Sequence, residues 1–203
     1  MNFFGHALVA SWRSEHPAFA LGAMLPDFAN MVGARAATDH AEVSAGVAFH
    51  HVTDRAFHVM PAFRALESET IRLLSAAGLG RGPARAAAHV SVELCLDANL
   101  IDQPNAADSY LAALSLAPTI DLVWTPPSAV PRWRAVHARL LARGVPPPIP
   151  AQIADRVTAA LASRPMLSLD PAASAALAAH IHSIFDSTRL AAPQILSALR
   201  SSL

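Results

Sequence analysis

His50, Asp54 and His58, all of types that ligate divalent metals, recur at intervals of four in GVAFHHVTDRAFHVMP, and His89, Glu93 and Asp97 repeat that interval in AHVSVELCLDAN. On an α-helix, residues four apart lie one turn apart and about 40° around the axis, so each set forms a polar stripe about 80° wide. Both stripes interrupt apolar sequence. Val47, Phe49, Val52 and Phe57 surround the first, and Val90, Val92, Leu94, Cys95 and Leu96 the second. A carboxylate buried unpaired among such side chains costs several kcal/mol, so Glu93 must either reach solvent or meet a cation. Facing helices that each present imidazole and carboxylate are a way for helical proteins to enclose a divalent ion. Imidazole with carboxylate favours Mn, Zn or Fe, with Mg a poorer match. The spacing alone leaves open that these are ordinary polar pairs on helix surfaces.

Further residues fit the same chemistry less specifically. His6 lies between Phe3, Phe4, Leu8 and Val9, where a histidine is either a satisfied core residue or a ligand. Asp27 in MLPDFANMV reads as a helix N-cap after Pro26, or as another acid of the site. His51 lies about 100° around the helix from His50, off the stripe, where a surface histidine is the ordinary reading. Arg81 and Arg85 in GLGRGPARAAAH precede the second stripe near a helix start, which favours anions. They read as a basic surface for an anionic partner or as solvated cations. His16, His40 and His137 read as solvated, and Trp124 and Trp133 as packing residues. His180 and His182, two apart, cannot share an ion as an i, i+4 pair would.

Proline and glycine divide the chain into the helices that must position these residues. A short helix is expected from Phe3 to Trp12, then a helix end, a turn at Pro26 and a second short helix. A long helix from Thr38 to Met60 carries the first stripe and ends at Pro61. Another runs from Ala62 to Ala77. The stretch from Pro83 to Leu100 carries the second stripe, with proline suited to its first turn. Four further helical stretches follow, the last broken near Pro193. No β-branched alternation marks a strand. The expected architecture is one all-α domain over residues 1–203, a bundle of eight or more helices.

The chain has 203 residues and is 53% hydrophobic against 15% charged, which makes it a folding chain rather than a disordered one. A formal net charge of zero removes any whole-chain argument for nucleic acid or for an anionic membrane surface. Every one of the 15 basic residues is arginine, which reads as coding bias and not as function. Cys95 is the one cysteine, excluding an internal disulfide, and is expected to be a buried thiol. The start MNFFGHALVASWRSEHP lacks a basic leader and makes a poor signal peptide, so a cytoplasmic location is expected.

Four segments together, MNFFGHALVA, LGAMLPDF, GVAFHHVTDRAFHVMP and ASRPML, resemble the landmarks of the acyl carrier protein phosphodiesterases (acyl carrier protein hydrolases). Their order and spacing cover most of the chain. In that family pattern His6, Asp27, His50 and Asp54 match directly. His58 and His89 stand where the family has aspartates, and Glu93 replaces the second aspartate of the later helix. The family in turn resembles HD-type metal phosphohydrolases, which implies an HD-domain-like fold. The resemblance implies hydrolysis of a phosphodiester, with release of 4′-phosphopantetheine from a serine of acyl carrier protein. His50, Asp54, His89 and Glu93 are then the inner ligands, and Asp27, His58 and His6 complete one or two metal positions. The three replacements and the overall neutrality leave two alternatives: a smaller phosphodiester or nucleotide substrate, and a non-catalytic helical binding protein.

Overall fold

A computed structural model describes residues 1–145 and 147–203. Among the described residues the chain is all-α: α1 (Phe3–Ser11), α2 (Pro17–Met31), α3 (Ala41–Val59), α4 (Pro61–Ala76), α5 (Arg81–Asn99), α6 (Ala106–Leu116), α7 (Val130–Arg143), α8 (Pro150–Leu161) and α9 (Pro171–Ser202). Two three-residue strands, β1 (Arg35–Ala37) and β2 (Val123–Thr125), pair antiparallel with Ala36 opposite Trp124. They are too short to show an alternation in sequence. The contacts gather into two compact units, Met1–Arg55 with Leu100–Pro146, and Ala56–Asn99 with Pro147–Leu203.

In the first unit, α1 is buried from Phe3 to Ala10, as a helix apolar on all sides must be. Its start is fixed by Asn2, whose Oδ1 accepts from the Phe3 N–H at 2.7 Å. Phe3 packs on Phe28 and Tyr110, and Phe28 on Trp133, with ring centroids 5.2–6.0 Å apart, tying α1 to α2, α6 and α7. Trp133 in turn packs on Trp124, the buried residue of β2. His137, expected to be solvated, is buried instead: its Nε2 lies 2.8 Å from the Leu114 carbonyl, and Trp133 covers its ring.

The turn expected at Pro26 does not occur. Helix α2 runs through Pro26 to Met31, so Asp27 lies inside a helix and is not its N-cap. An interior proline removes one backbone hydrogen bond. Burial of Leu21, Ala23, Met24, Leu25, Phe28 and Ala29 on both sides of it holds the helix together. The same applies to α9, which continues through Pro193 because Ile184, Ala192, Ile195 and Leu199 are buried around it.

Helices α2 and α3 meet through glycine. A Cβ on Gly22 would lie 2.1 Å from the Val43 carbonyl oxygen, and one on Gly46 would lie 2.1 Å from the Phe19 carbonyl oxygen. No larger residue allows two backbones this close. The crossing sets the height of α3 against α2, and with it the position of His50, one turn beyond Gly46.

The second unit holds α4, α5, α8, α9 and the end of α3. Helix α5 buries Ala84, Ala87, Ala88, Ser91, Val92 and Cys95 on one face. Burial pushes the Cys95 thiol up to about 12, which fits a packing residue and not a nucleophile. Helix α9 starts at Asp170, whose Oδ1 accepts from the Ala173 N–H at 2.7 Å, and contributes Leu177, Ile181, Ile184 and Leu199 to the core. Among the described residues no helix is long and apolar enough to cross a membrane.

Replacing Gly46 with alanine is expected to cost at least ~1–3 kcal/mol of stability, the usual range for overpacking, since the obstacle is backbone. Urea unfolding of Gly46→Ala measures this. An unchanged midpoint would show that the helices do not rely on this contact.

Candidate metal centres

His6, His50 and Asp54 converge in the first unit, with one ligand-type atom from each inside a 4.8 Å group. Helix α1 brings His6, and one turn of α3 brings the other two. The His6 and His50 rings lie 4.0 Å apart, and His6 Nε2 is 3.7 Å from Asp54 Oδ1. That separation exceeds hydrogen-bonding range. It is close to the ~3.4 Å between two ligands of a tetrahedral ion with bonds of ~2.1 Å. The Met1 amino nitrogen is 3.8 Å from the same oxygen.

The other side of each ring is already engaged. His50 Nδ1 lies 2.8 Å from the Ala23 carbonyl oxygen, so this nitrogen carries the proton and Nε2 keeps its lone pair. His6 Nδ1 faces Thr53 Oγ1 at 3.5 Å, while the Thr53 hydroxyl is directed to the Phe49 and His50 carbonyls. His6 Nε2 is buried with no hydrogen-bond partner. A buried polar nitrogen left in this way costs roughly 1–3 kcal/mol unless something binds it. Burial pushes the His6 imidazole down to about 3, against the pull of Asp54, and burial lowers His50 as well. Both rings are therefore neutral at pH 7, the form that ligates metal. Asp54 is about a third exposed (35%), which leaves the cluster open on one side.

His58, His89 and Glu93 form a second group, within the second unit and within the same 4.8 Å limit. His58 Nε2 lies 3.2 Å and His89 Nε2 3.4 Å from Glu93 Oε1. The two rings stack at 5.1 Å with planes 10° apart, and Phe63 meets both edge-on. His89 Nδ1 is 2.9 Å from Glu67 Oε1 on α4. Burial alone would push the Glu93 carboxyl up. The charges and hydrogen bonds around it reverse this and hold it down at about 2. This group is wetter than the first, with 30% of His58 and 37% of His89 exposed.

Six of the seven residues expected to ligate metal thus fall into two groups of three, and Asp27 belongs to neither. The grouping differs from the expected inner set of His50, Asp54, His89 and Glu93: the first pair joins His6, and the second joins His58. His51 is exposed, with its ring edge-on to His50 at 5.3 Å. Arg81 and Arg85 are exposed in the first two turns of α5, with Arg85 one turn before His89. The chain reading missed the Ala23 carbonyl, Thr53 and Glu67. A carbonyl has no sequence signature, and Glu67 belongs to an amphipathic helix where Glu69 pairs with Arg72 on the surface in the ordinary way. The donor set of each group, two imidazoles and a carboxylate, suits Mn, Zn or Fe.

Comparison of the chain with known protein families, with characterised proteins and with solved structures finds no match.

The depressed His6 and His50 values give metal-free protein a defined acid response. Below ~6.5 the unfolded chain takes up protons that these two folded residues refuse, so stability is lost as pH falls from there toward about 3. The slope reaches at most ~1.4 kcal/mol per pH unit for each such histidine. Urea unfolding at pH ~7 and ~4.5 should show a smaller loss in His6→Gln than in the parent chain. Equal losses would mean that His6 is not held neutral by burial.

Proposed function

We propose that the chain is a metal-dependent hydrolase of phosphoric diesters. The observation that carries this reading is the buried His6 Nε2, without a hydrogen-bond partner and 3.7 Å from Asp54, beside a His50 ring whose Nδ1 is already committed. A divalent ion held by His6, His50 and Asp54, or by His58, His89 and Glu93, supplies Lewis acidity toward a phosphoryl oxygen and makes water more acidic. Among the described residues each group offers three donor side chains, two imidazoles and a carboxylate.

The remaining roles fall to residues around the groups. Arg85 and Arg81, one and two turns ahead of His89 on the exposed side of α5, supply guanidinium groups that match phosphate oxygens. His51, exposed beside His50, supplies a proton to the departing alkoxide. Asp27, one turn beyond Ala23 on α2, serves as an additional carboxylate of the same reaction.

The resemblance of MNFFGHALVA, LGAMLPDF, GVAFHHVTDRAFHVMP and ASRPML to the acyl carrier protein phosphodiesterases supports one substrate in particular, the phosphopantetheinyl serine of acyl carrier protein. A second reading keeps the metal and takes a small phosphodiester or nucleotide. Its support is that histidines stand at positions 58 and 89 where the family has aspartates, and that a chain of zero net charge offers little general attraction to an acidic protein.

Protein purified without chelators should carry Mn, Zn or Fe and should hydrolyse bis(4-nitrophenyl) phosphate. His50→Ala should lower that rate by at least ~100-fold, since even loss of a residue supporting a ligand costs 10–100-fold. Incubation with holo acyl carrier protein, followed by mass spectrometry, separates the substrates: loss of the pantetheine mass supports the first. Less than ~0.1 equivalents of any transition metal would remove the enzyme reading and leave a helical binding protein.

A further inference from the structure

We propose that Glu67 is the positioning residue of the second group, holding His89 in the tautomer and orientation that a metal ligand requires. The proposal rests on the reading of His58, His89 and Glu93 as ligands. Two carboxylates face the two nitrogens of the His89 ring: Glu67 Oε1 at 2.9 Å from Nδ1 and Glu93 Oε1 at 3.4 Å from Nε2. An ionised carboxylate only accepts, so in the neutral ring one of them receives the single N–H. The shorter contact assigns that proton to Nδ1. Nε2 then presents its lone pair on the side where Glu93 and His58 Nε2 meet. With Glu67 removed, the proton would move to Nε2 and donate to Glu93, occupying the atom the ion needs.

Three features fit this role. Glu67 is 29% exposed, whereas Glu69, on the same helix and paired with Arg72, is 62% exposed. Arg64, three residues before Glu67, directs its Nε–H to the His58 carbonyl at 3.2 Å and so helps secure the end of α3 that carries this ligand. The His89 ring plane is fixed independently, stacked on His58 and met edge-on by Phe63, so the carboxylate decides the tautomer without having to orient the ring alone. A carboxylate behind a ligating histidine also raises its basicity, and losing such a group typically costs 10–100-fold in metal affinity.

The test uses Glu67→Leu and Glu67→Gln in the full chain, with circular dichroism to check folding. In metal-free protein, long-range proton–nitrogen NMR reads the tautomer of the neutral His89 ring. The parent should show Nδ1–H, Glu67→Leu should show Nε2–H, and Glu67→Gln, which keeps an accepting oxygen, should retain Nδ1–H. Titration with Mn²⁺, followed by its paramagnetic resonance and with His89→Ala marking which sites are lost, should show Glu67→Leu weakened ~10–100-fold and Glu67→Gln weakened less. An unchanged tautomer or a Mn²⁺ affinity within twofold of the parent in Glu67→Leu would overturn the role of Glu67. A parent chain whose Mn²⁺ uptake is the same as that of His89→Ala would instead overturn the reading of this group as a metal site, on which the proposal stands.

Discussion

The hydrogen bond from His50 to the Ala23 carbonyl depends on how closely α2 and α3 approach, and that approach depends on two glycines. With Gly22 and Gly46 back to back, the α3 backbone comes near enough to α2 for an imidazole one turn further along to reach a helical carbonyl at 2.8 Å. The bond determines which nitrogen carries the proton. It leaves the other nitrogen with its lone pair, in a ring whose centroid lies 4.0 Å from that of His6. The helix crossing and the tautomer of His50 are therefore a single constraint, written in residues that carry no chemistry of their own.

The two groups hold imidazole beside carboxylate in different surroundings. In the first, burial does the work: it pushes the His6 imidazole down to about 3 and lowers His50, and His6 Nε2 is left without a hydrogen bond. In the second, exposure is greater and carboxylates line the rings, with Glu67 and Glu93 on opposite nitrogens of His89 and His58 hydrogen-bonded to Glu93. A buried neutral site offers a bare lone pair and little competition from protons. Helix α3 serves both, giving His50 and Asp54 to one and His58 to the other.

Much of this was legible in the chain. Helix positions followed from proline, glycine and apolar runs, and the interval of four marked five of the six residues that cluster. The prolines at 26 and 193 misled because their cost is local, while the apolar burial that outweighs it is spread over whole helices. His137 was misplaced for a related reason: its arginine neighbours on α7 face outward, but its own position falls on the side that meets Trp133 and the Leu114 carbonyl. The strands were invisible at three residues each.

The partner choice was the part that spacing could not supply. Residues at i and i+4 on one helix present two donors on one face, and any element packed there can provide the third. Facing stripes on α3 and α5 suggested that each pair completes the other. The completing residues come instead from α1, where a lone histidine sits in an otherwise apolar helix, and from one further turn of α3 itself. His6 was the informative residue. An apolar helix has no use for an imidazole unless both nitrogens are satisfied, and here Nδ1 finds only a hydroxyl at 3.5 Å while Nε2 finds no hydrogen bond at all. That buried nitrogen, with a carboxylate oxygen 3.7 Å away, is the observation on which the proposed cation site rests.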